Sequence, residues 1–335
     1  MIQTGQRVLF IAPRFFGYEK EIQYELETAG YQVTWRDDRP SSSALMKAMI
    51  RFRPELVTRM INDYFDGIVE QAKATAYDVV FIIKGEALSV EKLLLLKESL
   101  PDARFLYYTW DSLKNFKNSQ EKLHYFDKVY SFDRFDAIDN KKIRHLPLFY
   151  SRVYEVLGQS QQTSGKRDID LLFLGSIHSD RYLVVRKIWA AAKGLKPDVR
   201  LYGHFFYQSK WVFVLRKLFD RQFRLIPWRD VKWDSLSCEG TLALIARSDI
   251  LVDVHHPGQT GLTMRTIECL GAKRKLITTN PDVKIYDFYD SGNILVIDRA
   301  APVIPDSFMN TAFRPVEENI YGKYSLRKWL AEIFY

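Results

Sequence analysis

Six short apolar runs constrain this chain most: RVLFIA (Arg7–Ala12), DVVFIIK (Asp78–Lys84), RFLYYT (Arg104–Thr109), DLLFLG (Asp170–Gly175), DILVDV (Asp249–Val254) and KLITT (Lys275–Thr279). Each is strand-length, and helical patterns fill the intervals between them. Parallel neighbours need a crossover of that kind, so the alternation restricts the chain to α/β architecture with helix-covered parallel sheets.

Further elements follow from the same pattern. In the first half, helices are expected at Tyr18–Ala29, across Ser43–Thr75 with a break or kink at Pro54, at Val90–Ser99 and near Ser119–Tyr125. Strands are expected at Tyr31–Trp35 and Lys128–Phe132, with an extended segment at Ile143–Phe149. The polar, glycine-flanked stretch Gly158–Lys166 is the best linker candidate. Beyond it, helices are expected at Tyr182–Lys193, Glu239–Ala246, Leu262–Ala272 and Ser325–Phe334, with a strand at Val199–Tyr202. A chain of 335 residues suits two domains, 1–157 and 166–315, with a final helical segment 316–335.

The two cysteines, Cys238 and Cys269, form neither a disulfide framework nor a metal cluster. The opening MIQTGQRVLFIAP lacks the apolar run of a signal peptide, and no segment approaches the ~20 apolar residues that span a bilayer. A cytoplasmic protein is expected, free or held peripherally on the inner face of the membrane. The net charge of +8 suits an anionic partner, or is simply a lysine-rich soluble surface. No zinc finger, helix-turn-helix or RNA-binding signature accompanies it, so nucleic acid is not expected.

Ligands of open α/β sheets bind beyond the carboxyl ends of the strands. In Asp249–Asn280 a strand, a loop and a helix follow one another, aiming free N–H groups at an anion. Thr260, Gly261, Leu262 and Thr263 open that helix, and Glu268 within it can take ribose hydroxyls; otherwise the segment is a capped helix with a solvent-facing glutamate. His255 and His256 end the preceding strand, and His256 is a ligand candidate. After Asp170–Gly175 come Gly175, Ser176, His178 and Arg181, suited to a diphosphate or equally to a tight turn with a helix cap.

In the first half, Arg14, Phe16 and Gly17 follow the first strand, Trp110 and Asp111 follow RFLYYT, and Asp133 follows Lys128–Phe132. Asp111 or Asp133 can serve as a general base, or each can be a turn or cap residue. Asp168-Ile169-Asp170 precedes its strand, the wrong end for a metal site, so no metal is expected. APRFFG lacks G-x-G-x-x-G, and P-loop, zincin and G-x-S-x-G patterns are missing. In the insertion Phe205–Phe223, Trp211, Val214, Leu215, Leu218 and Phe219 share a helical face, with Arg216, Lys217 and Arg221 toward the other. It reads either as an interfacial helix on anionic lipid or as a core-packed helix.

This layout resembles the GT-B glycosyltransferases, in which two Rossmann-like domains present parallel sheets to a central cleft, acceptor in the first and donor in the second. Many retaining members carry a glutamate, seven residues and a second glutamate before a glycine–proline turn into a strand. Glu268 matches the second glutamate and Leu276-Ile277 the strand, whereas Thr260, Lys273 and Lys275 replace the first glutamate, the glycine and the proline. YTWDS, YSFDRFD and RHLPLFY are similar to stretches in the CgeB-like group of capsule, exopolysaccharide and lipopolysaccharide enzymes. The resemblance implies hexosyl transfer from a nucleotide-diphosphate sugar, as co-substrate and without other cofactor, to a saccharide or lipid-linked acceptor. It also implies a last helix that crosses back onto the first domain. A nucleotide-sugar epimerase of the same fold and an inactive membrane-associated scaffold are the alternatives.

Overall fold

Val79–Ile83 (VVFII) is buried at every position, the mark of a parallel strand covered on both faces. It is the third of six strands in a sheet of β1 (Arg7–Ile11), β2 (Gln32–Arg36), β3 (Val79–Ile83), β4 (Arg104–Thr109), β5 (Lys128–Ser131) and β6 (Ile143–His145). Their order is β2-β1-β3-β4-β5-β6, with every pairing parallel. A second six-stranded parallel sheet joins β7 (Ile169–Ser176), β8 (Leu201–Phe206), β9 (Val231–Lys232), β10 (Ser248–Asp253), β11 (Lys275–Thr278) and β12 (Ile294–Val296). It runs β12-β11-β10-β7-β8-β9. These are two Rossmann-like α/β sheets. The structure is a computed structural model and describes all residues except 1–4, 42, 44–45, 47–48, 51–52, 116–119, 161–166 and 258–260.

The chain divides into two compact units, Met1–Pro147 with Leu326–Tyr335, and Leu148–Ser325. In the first, Val80 and Ile82 pack with Leu9, Ile11, Phe65 and Ile68 on one face of the sheet. On the other face Phe81 meets Trp329 and Phe334 of the last helix, Leu326–Phe334. Arg104 Nη1 and the Tyr130 hydroxyl donate to the carbonyls of Phe334 and Glu332 at 3.0 and 2.7 Å, tying that helix to the sheet. In the second unit Leu171, Phe173, Ile250 and Val252 pack against Val184, Val185 and Ile188 of the Arg181–Leu195 helix.

Side-chain caps explain several helix starts. Ser89, Ser209, Ser237 and Thr263 each cap a helix by accepting a backbone N–H three residues on, worth about 1 kcal/mol apiece. The expected long helix ahead of Thr75 is interrupted by a 3-10 turn, Pro54–Leu56, and resumes at Thr58. Proline lacks the N–H that would continue the ladder. Part of that stretch lies outside the described residues.

Two differences from the sequence reading bear on the site. Gly158–Ser160, read as the start of a linker, ends a helix, Arg152–Ser160, within the second unit; residues 161–166 lie outside the described residues. Gly158 is there for packing: a Cβ on it would stand 2.3 Å from the carbonyl oxygen of Gly271. The strand expected at Val199–Tyr202 instead runs from Leu201 to Phe206, so Phe205 and Phe206 belong to the sheet and not to the insertion.

Candidate functional site

In the second sheet the chain leaves β7 toward β8 and β9, then returns to lay β10 on the other side of β7. The crevice at such a reversal is where open sheets receive ligands. Arg181, first residue of its helix, spans it: Nε donates to the Val254 carbonyl at 2.8 Å and Nη1 to the Ser176 carbonyl at 3.2 Å. Gly175 makes room, since a Cβ there would lie 3.2 Å from Arg181 Nη1 and 3.0 Å from the Phe173 ring. Ser176 is exposed at the rim.

On the β10 side, Asp253 accepts from the hydroxyls of Thr263 at 2.6 Å and Thr266 at 3.2 Å. Thr263 also caps the Met264–Gly271 helix. Gly261 takes φ +82°, a left-handed value that favours glycine, and its carbonyl accepts from Asn280 Nδ2 at 2.7 Å. Leu262 is buried, so only its backbone can meet a ligand. Thr260 lies outside the described residues. Glu268 is also buried, its carboxylate 2.6 Å from Arg265 Nη1. The Tyr154 hydroxyl, on the Arg152–Ser160 helix, has its pKa raised by burial and then by Glu268. A solvent-facing glutamate is thus ruled out.

His178 and His256 bring their rings within 5.6 Å of each other. Burial, then Arg181 and His256, push His178 down from 6.5 to about 4. The ring is therefore neutral near pH 7. Its folded value lies below its unfolded one, so the unfolded chain takes the proton first. Stability should fall as pH drops from about 6.5 toward 4. His145, His204 and His255 are lowered too, so His178→Gln should flatten part of that decline. Superimposable pH–stability curves for the two proteins would refute it. Next to His178 opens a cavity of about 290 Å³, walled by Ser176, Ile177, Phe206, Tyr207, Arg216 and Phe223.

The first sheet has its own reversal, between β1 and β3. Beyond β1, Arg14 lies 3.6 Å from Asp37, and Phe16 and Gly17 both adopt left-handed φ, +52° and +86°. Trp110 packs 5.6 Å from the Phe15 ring, bringing the loops after β1 and β4 together. Asp111 is partly exposed and held 3.0 Å from Lys84 Nζ, which also lies 3.5 Å from Glu86. Asp133 stands apart: it is wholly buried and caps the Arg134–Asp139 helix through Phe135 N at 3.0 Å. The cap role is the one that the structure gives it, because a carboxylate at a strand end satisfies the next helix's free N–H.

Asp168 and Asp170 sit at the start of β7, paired with Arg247 and Arg200, each at 2.6 Å. Among the described residues no His, Cys, Asp or Glu cluster could hold a metal, and no helix is long and apolar enough to cross a membrane. Sequence reasoning missed Asp253, Asn280, Arg299 and Lys84. Arg299 Nη2 donates to the His255 carbonyl at 2.9 Å and Nε lies 3.1 Å from Asp180. All four stand at or just beyond a strand's carboxyl end, so that rule would have found them had β12 been recognised and the strand ends been placed.

No protein-family model and no curated protein sequence matches this chain. Solved structures do. A glycosyltransferase from Rickettsia africae ESF-5 is 14% identical, with a TM-score of 0.59 over 98% of this chain and 96% of that one. Anabaena HepE, in complex with UDP and glucose, is 11% identical, with a TM-score of 0.52 over 98% and 94%. The UDP-GlcNAc 2-epimerase of Methanocaldococcus jannaschii, in complex with UDP-GlcNAc and UDP, is 11% identical, with a TM-score of 0.51 over 98% and 99%. At such identities the likeness is one of fold, and the fold is that of the GT-B glycosyltransferases.

Proposed function

We propose that the protein transfers a hexosyl group from a nucleoside-diphosphate sugar to a saccharide acceptor, carried on lipid, in cell-surface polysaccharide assembly. The observation that carries this reading is Arg181 spanning the strand ends at the second sheet's reversal, with a capped helix start beside it. Gly175, Ser176 and the stretch Gly261–Thr263 offer backbone to the diphosphate, His178 offers a neutral hydrogen-bonding ring, and His256 stands beside it. Arg181 and Arg299 counter the charge that develops on the leaving group, which leaves a metal unnecessary. Glu268 takes the ribose hydroxyls beside Arg265. Asp111, with its partner Lys84, is the acceptor-side base, and Arg14, Phe16, Gly17 and Trp110 line the acceptor. That UDP and glucose are bound by HepE supports the ligand class.

Thermal shift with UDP, GDP, CDP and ADP is the direct test. At about 100 times Kd a bound nucleotide adds ~2.7 kcal/mol of stability; no shift with any of the four ends the proposal. Glu268→Gln keeps a polar partner for Arg265 and should weaken nucleotide binding by roughly tenfold. Unchanged affinity would remove Glu268 from the site. Donor incubated without acceptor separates transfer from 2-epimerisation, since an epimerase turns over alone.

A further inference from the structure

Helix Lys210–Phe219 presents two contrasting faces. Phe213 points inward and is wholly buried, with its ring 5.1 Å from Trp228 and 5.5 Å from Trp233. The opposite side carries Trp211 and Phe219, 82% and 83% exposed, with Leu215 and Leu218 between them at 55% and 58%. Beyond the helix end Leu225 is also exposed, at 63%. A fold that simply needed to pack this helix would have no reason to leave Trp211 and Phe219 in water.

The rim supplies the charge. Residues 210–229 contain six Lys or Arg against one Asp, a net of +5 within a chain whose total is +8. The one acid, Asp220, is already paired with Arg216 at 3.7 Å. Lys217 Nζ donates to the Ile226 carbonyl at 2.6 Å and Arg224 Nε to the Lys217 carbonyl at 3.1 Å, so the turn after the helix is braced from within. The apolar crest therefore stands on a braced support within a segment of net charge +5. A second copy of the chain is a poor occupant, because two surfaces of +5 would have to meet. Trp and Phe at the crest with Lys and Arg around them are what the headgroup and acyl boundary of an anionic bilayer receives.

We propose that the 210–229 segment docks the second unit onto an anionic membrane, with Trp211, Leu215, Leu218 and Phe219 inserted and Lys210, Arg216, Arg221 and Arg229 at the headgroups. The inference stands on this surface alone and does not rest on nucleotide binding. Arg216 and Phe223 also wall the cavity beside His178, so the membrane-facing segment contributes directly to the candidate site.

The test is co-sedimentation of the full chain with phosphatidylcholine vesicles, with and without roughly 30 mol% phosphatidylglycerol. The wild type should partition onto the anionic vesicles about tenfold more strongly than onto the neutral ones, and high salt should narrow that difference. Trp211→Ser with Phe219→Ser should lower partitioning onto anionic vesicles by a further tenfold or more, and Lys210→Glu with Arg221→Glu should erase the lipid-charge preference. Melting temperature and nucleotide-induced shift should be unchanged in both double variants, which separates this outcome from failure of the nucleotide reading. Absence of wild-type binding to anionic vesicles overturns the proposal. So does binding that survives the serine pair, or a dimer in solution that the serine pair dissolves.

Discussion

Arg181→Ala should reduce affinity for a nucleoside diphosphate by about 100-fold, roughly 3 kcal/mol, because it removes both the charge and the brace between two strand ends. The brace consists of the bonds to the Ser176 and Val254 carbonyls. Arg181→Lys restores charge without the planar fork and should recover only part of the loss. Calorimetric titration measures both, and the melting temperature of the free variants shows whether the loops themselves have loosened. An alanine variant that binds nucleotide as tightly as the wild type would move the diphosphate away from this crevice.

Trp329→Ala is expected to give the largest loss of stability, about 3–5 kcal/mol for the first unit. Trp329 is 2% exposed, with its ring 4.6 Å from Tyr108 and 6.1 Å from Phe81. The loss is a large share of the ~5–15 kcal/mol that holds a typical domain together. Urea unfolding should show an earlier transition, and Trp329→Phe, which refills most of the volume, should sit between the two. Coincident curves for wild type and Trp329→Ala would mean that the last helix contributes little to the sheet it covers.

The parallel sheets were legible because runs such as RFLYYT and DLLFLG are continuous, strand-length and rich in aromatic or aliphatic side chains. Strands β9 and β12, Val231–Lys232 and Ile294–Val296, are too short to carry a period, and without β12 the position of Arg299 had no meaning. The helix Arg152–Ser160 was obscured because Gly158 and its polar neighbours look like a turn, whereas the glycine answers to Gly271, far along the chain. At the candidate site the strand-end rule selected the right loops but could not rank their carboxylates. Asp111 and Asp133 both follow strands, and only burial tells the half-exposed partner of Lys84 from a helix cap. Nothing local to Glu268 announces Tyr154, because Tyr154 stands on the Arg152–Ser160 helix, far from it along the chain.

The first unit is assembled from two pieces of chain, Met1–Pro147 and Leu326–Tyr335. During translation the sheet of the first piece must wait, with Phe81 and Tyr108 uncovered, while the ribosome makes the whole of the second unit. The unit encoded later can therefore finish folding earlier, and the waiting surface is the natural point for aggregation or chaperone capture. Removal of Leu326–Tyr335 would thus threaten the amino-terminal half of the molecule first.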